Sequence, residues 1–98
     1  MNIVQTLNDK SLTLALEGQL DSTTAPELEA IIRKSLQGIE ELVFDFSALE
    51  YLSSAGLRIL LVAKKIMDKQ GKMILKGVKE EVMEVFDITG FSSILDFA

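Results

Sequence analysis

The feature that most constrains this chain is the change in its hydrophobic period along the sequence. Leu12, Leu14 and Leu16 alternate with Ser11, Thr13 and Ala15, the period-two pattern of a strand with one buried face. Leu28, Ile31, Ile32 and Leu36 then recur at helical spacing, as on a helix with one apolar stripe. Leu42-Val43-Phe44 with Phe46 returns to a compact run of strand formers, and Leu57, Leu60 and Leu61 open a second helical stripe. Strand, helix and strand in succession imply parallel pairing with right-handed crossovers. An α/β fold is therefore the expectation.

The remaining segments fit between these. Ile3 to Leu7 and Leu12 to Leu16 flank Asn8-Asp9-Lys10 and predict a β-hairpin. Gly18 to Thr24 is rich in turn residues, and Thr24-Ala25-Pro26-Glu27 matches a capping box with Pro near the first helical position. Glu27 and Glu29 near the start, Arg33 and Lys34 near the end and Gly38 as the stop agree with the helix dipole and with glycine termination. The Leu42 to Phe46 run predicts a central strand covered on both faces.

A second helix is expected from about Ser54 to Gln70, with Lys64, Lys65 and Lys69 towards its C-terminus and Gly71 ending it. Met73-Ile74-Leu75 predicts another strand, and Val82, Val85, Phe86 and Thr89 a last helical stripe stopped by Gly90. The tail Ile94 to Ala98 reads either as a short edge strand or as frayed. The expected order is β-β-α-β-α-β-α, a mixed sheet of four or five strands flanked by helices. With 98 residues there is length for one core, so a single domain over residues 1–98 is expected.

Composition narrows function by exclusion. Cys and His are both absent, which removes thiolate nucleophiles, disulfides, imidazole acid–base catalysis and the usual transition-metal ligands. Carboxylate chemistry alone is a thin basis for an enzyme, and no Gly-Lys-Ser or Gly-Lys-Thr phosphate loop is present. A net charge of −5 offers no evident source of phosphate-backbone neutralisation, so nucleic acid is not an expected partner. The longest unbroken apolar run, Ile59 to Ala63, is far short of a bilayer span. The first residues carry no secretory-signal pattern, and a cytoplasmic location is expected. No cofactor is implied, and the chain reads as a binding module.

The most informative stretch runs from Phe44 to Leu57, from a strand through a polar segment into a helix N-terminus. Ser53 is placed as an N-cap, whose hydroxyl would accept a first-turn N–H. Ser54 then occupies the first helical position with its hydroxyl directed towards solvent or a partner. Gly56 is unfavourable within a helix by about 1 kcal/mol relative to Ala, and its missing side chain suggests an open helix end. A helix N-terminus tolerates phosphate, and phosphorylation would add about −1.5 to −2 charges there.

These residues resemble the STAS domains, typified by bacterial anti-sigma factor antagonists. Gly18-Gln19-Leu20-Asp21, Phe44-Asp45-Phe46-Ser47, Tyr51-Leu52-Ser53-Ser54-Ala55-Gly56-Leu57 and Asp87-Ile88-Thr89-Gly90-Phe91 are similar to the family's blocks in order and spacing, over nearly the whole chain. The resemblance implies that Ser54 is a phosphoacceptor, modified by an anti-sigma factor that is a serine kinase and supplies the ATP. It implies that the unphosphorylated form binds this partner and frees a sigma factor, whereas the phosphorylated form lets go. A phosphatase that resets Ser54 fits the same scheme.

Each site residue also has a plainer reading. Ser53 reads as a helix cap and Ser54 alone as a solvated first-turn residue. Asp21 either closes a local turn or, by the resemblance, borders the Ser54 surface. Asp45 reads as an anchor for its loop. Arg58, one turn past Ser54, is either a surface arginine or a ligand for a phosphate or a partner carboxylate. The expected partner-binding set is Asp21, Ser53, Ser54, Gly56 and Arg58. Ser53 stands where the family frequently has Asp, Ala55 where it has Ser, and the chain ends soon after Phe91 where many relatives continue into a helix. These departures motivate a second reading, a non-switching scaffold or accessory STAS subunit of a signalling or lipid-transport complex.

Overall fold

A computed structural model describes residues 1–98. It contains β1 (Asn2–Asn8), β2 (Ser11–Leu20), α1 (Ala25–Ser35), β3 (Glu41–Leu52), α2 (Ser54–Met67), β4 (Lys72–Lys76), α3 (Glu80–Thr89), a 3₁₀ turn (Phe91–Ser93) and β5 (Asp96–Phe97). The strands form one sheet in the order β1-β2-β3-β4-β5. β1 is antiparallel to β2, and every other neighbouring pair is parallel. This is the expected mixed α/β architecture, with the tail forming the short edge strand. Asp9, in the tight β1–β2 turn, takes a φ of 56°, the left-handed region that such turns need.

Leu12, Leu14 and Leu16 of β2 and Leu42, Phe44 and Phe46 of β3 are buried, whereas their neighbours Thr13, Ala15, Val43 and Asp45 are only half-buried. All three helices pack on the same face. Leu28 and Ile32 of α1, Leu57, Ile59 and Leu60 of α2 and Val82 and Phe86 of α3 join the strand residues in one cluster of 24 buried side chains. Phe46 stacks on Phe86 with ring centroids 6.4 Å apart, fixing α3 against the sheet. The expectation that β3 is covered on both faces is therefore corrected. Its other face, with Val43 and Asp45, has no helix over it, and the Leu42-Val43-Phe44 run conceals a simple alternation.

Two strands run further than their sequence suggests. β2 continues through Gly18-Gln19 to Leu20, where a turn was expected, because Gly18 and Gln19 pair with Leu49 and Tyr51 of β3. β3 continues through the expected polar loop to Leu52. The register shifts between Ala15 and Glu17 and between Gly18 and Gln19 each place an extra residue on β3, as in a β-bulge. The buried positions of β3 consequently change from every second residue to Phe46, Leu49 and Leu52, which hides the strand from a period-two search.

Helix ends also differ from expectation. Thr24 precedes α1 without a side-chain cap bond, so the capping box does not form; its hydroxyl instead donates to Gln19 O at 2.9 Å and accepts from Asp21 N–H. α2 ends at Met67 rather than near Gln70. Gln70 is released to cap another helix, its Nε2 donating to Leu36 O and Ile39 O, each at 2.6 Å. α3 stops at Gly90, whose φ of 82° is the left-handed C-cap geometry. Replacing Gln70 with Ala should deprive Leu36 O, at the C-cap of α1, and Ile39 O, in the loop before β3, of this donor. The expected loss is about 1–2 kcal/mol, measured by urea denaturation with the m-value unchanged.

Candidate functional site

The two extended strands bring their C-terminal ends together. Leu20 is in register with Leu52, and Ser53 N–H donates to Leu20 O at 3.0 Å. The residues that follow, Asp21 on one side and Ser53-Ser54 on the other, therefore leave adjacent parallel strands at the same end of the sheet. Such strand ends are where open α/β folds present their functional loops.

Ser53 is extended, with φ −100° and ψ 176°, and makes no side-chain cap bond. Its carbonyl accepts Leu57 N–H at 3.0 Å and begins the helical ladder. Its hydroxyl oxygen is buried without a hydrogen-bond partner, so the expected side-chain cap is absent although the position is correct. The N–H groups of Ser54, Ala55 and Gly56 precede the first intrahelical bond, leaving the positive end of α2 uncapped by a side chain. The first turn of α2 holds no acidic residue, whereas α1 has Glu27 and α3 has Glu80 and Glu81 there.

Ser54 is exposed at the first position of α2. Arg58 is also exposed and, four residues on, shares its helix face. Gly56 is different: it is buried, and a Cβ there would lie 2.8 Å from Leu20 Cγ and 2.5 Å from Leu52 Cδ1. The expectation of an open helix end at Gly56 is corrected. Its lack of a side chain lets α2 sit directly on the ends of β2 and β3, which presents Ser54 without Gly56 itself reaching the surface.

Asp21 is held by its own turn. Its Oδ1 accepts from Thr23 N–H at 2.9 Å, from Thr23 Oγ1 at 2.7 Å and from Thr24 N–H at 3.2 Å, and its carbonyl accepts Thr24 and Ala25 N–H. The bonds from Thr23 hold its carboxyl below the usual range, because they favour the charged form. Asp45 acts likewise at the first bulge, accepting Ser47 N–H at 3.0 Å and Ser47 Oγ at 2.7 Å, bonds that lower its pKa. Both carboxylates shape backbone. Sequence reasoning missed Leu20 and Leu52, the seat for Gly56, since only the bulged register shows that they meet at the helix start.

A mixed five-stranded sheet with all three helices on one side, in the order β-β-α-β-α-β-α-β, is a STAS-type α/β architecture. The chain matches the STAS domain model over residues 2–98, and it belongs to the STAS domain family. BtrV of Bordetella bronchiseptica, assigned as an anti-sigma factor antagonist, is 42% identical over 92 residues, which are 92% of this chain and 79% of BtrV. Among solved structures, an anti-sigma factor antagonist from Mycobacterium paratuberculosis is 25% identical with a TM-score of 0.88, the match covering 98% of this chain and 83% of that one. The antagonist SpoIIAA shares the fold in its unphosphorylated form, at 16% identity and a TM-score of 0.78 over 99% of this chain and 87% of that one. The phosphorylated form of SpoIIAA, from Bacillus, does so at 18% identity, with a TM-score of 0.78 over 99% and 91%.

Two measurements test this geometry. Gly56→Ala should cost about 1–3 kcal/mol through overpacking against Leu20 and Leu52, read as a lower urea midpoint. Asp21, with its folded pKa depressed, contributes stability that is present above its ordinary value of 3.8 and is lost as pH falls through the folded pKa. Asp21→Ala should therefore lower stability at neutral pH and flatten the acid limb of the stability–pH curve.

Proposed function

We infer that this chain is a cytoplasmic anti-sigma factor antagonist, a binding module and not an enzyme, whose contact with its partner is switched by phosphorylation of Ser54. The observation that carries the reading is Ser54 itself, exposed on a helix start that lacks both a side-chain cap and a first-turn acid, in a relative of BtrV. The partner is an anti-sigma factor serine kinase, which supplies ATP and the catalytic base. The Ser54 oxygen attacks the γ-phosphorus, its proton passes to the kinase, and ADP leaves. This chain supplies only the acceptor and its setting.

Unphosphorylated, the surface around Asp21, Ser53, Ser54 and Arg58 docks on the anti-sigma factor, so that a sigma factor is released. The phosphate adds about −1.5 to −2 charges at the centre of that surface. The positive end of α2 and the Arg58 guanidinium, one turn on, accommodate the new charge within the domain. Docking is then lost through a change of surface charge and hydration, while the fold remains. SpoIIAA has this fold in both its unphosphorylated and its phosphorylated form, which agrees with a phosphate that leaves the fold intact. A phosphatase removes the phosphate and resets the surface. No cofactor of its own is required.

Ser53 and Ala55, in place of the family's frequent Asp and Ser, favour as a second reading a non-switching scaffold or accessory subunit of a signalling or lipid-transport complex. Incubation with the anti-sigma factor kinase and ATP, followed by mass spectrometric mapping, separates the two. Phosphate on Ser54, retained binding of Ser54→Ala and at least about tenfold weaker binding of Ser54→Asp, or about 1.4 kcal/mol, are the expected results. No phosphate on Ser54 together with equal affinities of the two variants would instead establish the scaffold.

A further inference from the structure

The two edges of the sheet are unequal. β5 is two residues long and contains Asp96, short and charged as protected edges are. β1 is seven residues, Asn2-Ile3-Val4-Gln5-Thr6-Leu7-Asn8, without charge or proline. Val4 is 48% and Leu7 66% exposed. This edge lacks the usual protection against pairing with another strand.

The backbone groups that remain free on β1 follow from the bonding pattern. Lys10 O faces β3, accepting Glu40 and Glu41 N–H. Strand alternation then turns Ser11, Thr13 and Ala15 towards β1, where they oppose Asn8, Thr6 and Val4. The N–H and C=O groups of Ile3, Gln5 and Leu7 consequently point away from the sheet.

The sequence of β1 is self-complementary about Gln5. Run antiparallel to itself, it sets Asn2 opposite Asn8, Ile3 opposite Leu7, Val4 opposite Thr6 and Gln5 opposite Gln5. The outward-facing residues fall in hydrogen-bonded positions, Gln5 with Gln5 and Ile3 with Leu7. A branched aliphatic meets a branched aliphatic on the helix face, and Val meets the similarly shaped Thr on the open face. Sliding the register by two residues would set Gln5 against Ile3 or Leu7, so the centred register is favoured by side-chain pairing.

We propose that this protein forms a two-fold symmetric homodimer through antiparallel pairing of β1 with β1 of a second copy, centred on Gln5, joining the two sheets into one. The occupant is a second copy because a strand that complements itself makes an isologous contact, and because no charge within β1 opposes its own symmetry mate. The pairing closes because both copies use the same edge, and the β5 edges that remain are too short and charged to extend the sheet. It is independent of the reading of Ser54, which lies at a different part of the fold, after β3.

Sedimentation equilibrium of the full chain over a range of concentrations, with circular dichroism to confirm folding, tests the proposal. A mass of two chains is expected at high concentration. Gln5→Lys sets two ammonium groups against each other on the axis and should raise the dimer Kd at least tenfold, as should Gln5→Glu. Mixing Gln5→Lys with Gln5→Glu should restore a dimer containing one of each. Ile88→Lys on α3, where Ile88 is 86% exposed, should change nothing. A monomer at every concentration, a dimer unmoved by Gln5→Lys, or a failure of the mixed variants to pair would each overturn the β1–β1 dimer.

Discussion

The burial of a single face of the sheet is the constraint on which the rest of the molecule depends. Leu12, Leu14 and Leu16 on β2 and Leu42, Phe44 and Phe46 on β3 form an apolar floor that only a layer of helices can cover, and the parallel crossovers put α1, α2 and α3 on that side together. Because these residues belong to neighbouring strands in register, their side chains and those of the helices merge into one core cluster. The opposite face carries Ser11, Thr13, Val43 and Ile74, with Glu41 joined to Lys72 at 3.3 Å and to Ser11 Oγ at 2.9 Å. That polar lacing suits a surface in contact with water.

The Ser54 end of the fold is a consequence of two irregularities in β3. Each bulge inserts a residue, rotates the strand and carries its buried side to Leu49 and Leu52, so that Leu52 arrives beside Leu20. Gly56 then permits α2 to descend onto that pair. Any larger residue would lift the helix start or displace a leucine, and the exposure of Ser54 would change with it. The geometry of the site is thus set by hydrophobic contacts beneath it more than by polar contacts around it.

These two levels differ in how far they can be read from sequence. The layer architecture is legible because periods of two and 3.6 translate directly into which face is buried, and Leu14, Ile32, Leu60 and Phe86 all lie where their periodicity puts them. Bulges break that translation: with Phe46, Leu49 and Leu52 buried in turn, the spacing resembles neither regular element. The polar residues Asp45 and Ser47 suggested a loop, but their side chains bond to each other to stabilise a kinked strand. Position Ser54 was legible as a helix start; the vacancy of the Ser53 cap was not, because it depends on which way one hydroxyl turns.

That uncapped end bears on how a phosphate would act there. A bonded N-cap typically contributes about 1 kcal/mol, and a first-turn acid adds a favourable interaction with the helix dipole. α2 has neither. An aspartate at position 53 would have satisfied first-turn N–H groups and placed a negative charge beside Ser54. The neutral Ser53 leaves those donors and the dipole uncompensated, so under the reading proposed for Ser54 the phosphate meets an attractive field from its own domain. Its charge would then be tolerated by the fold and act chiefly on the partner, which is the asymmetry a reversible switch of docking requires.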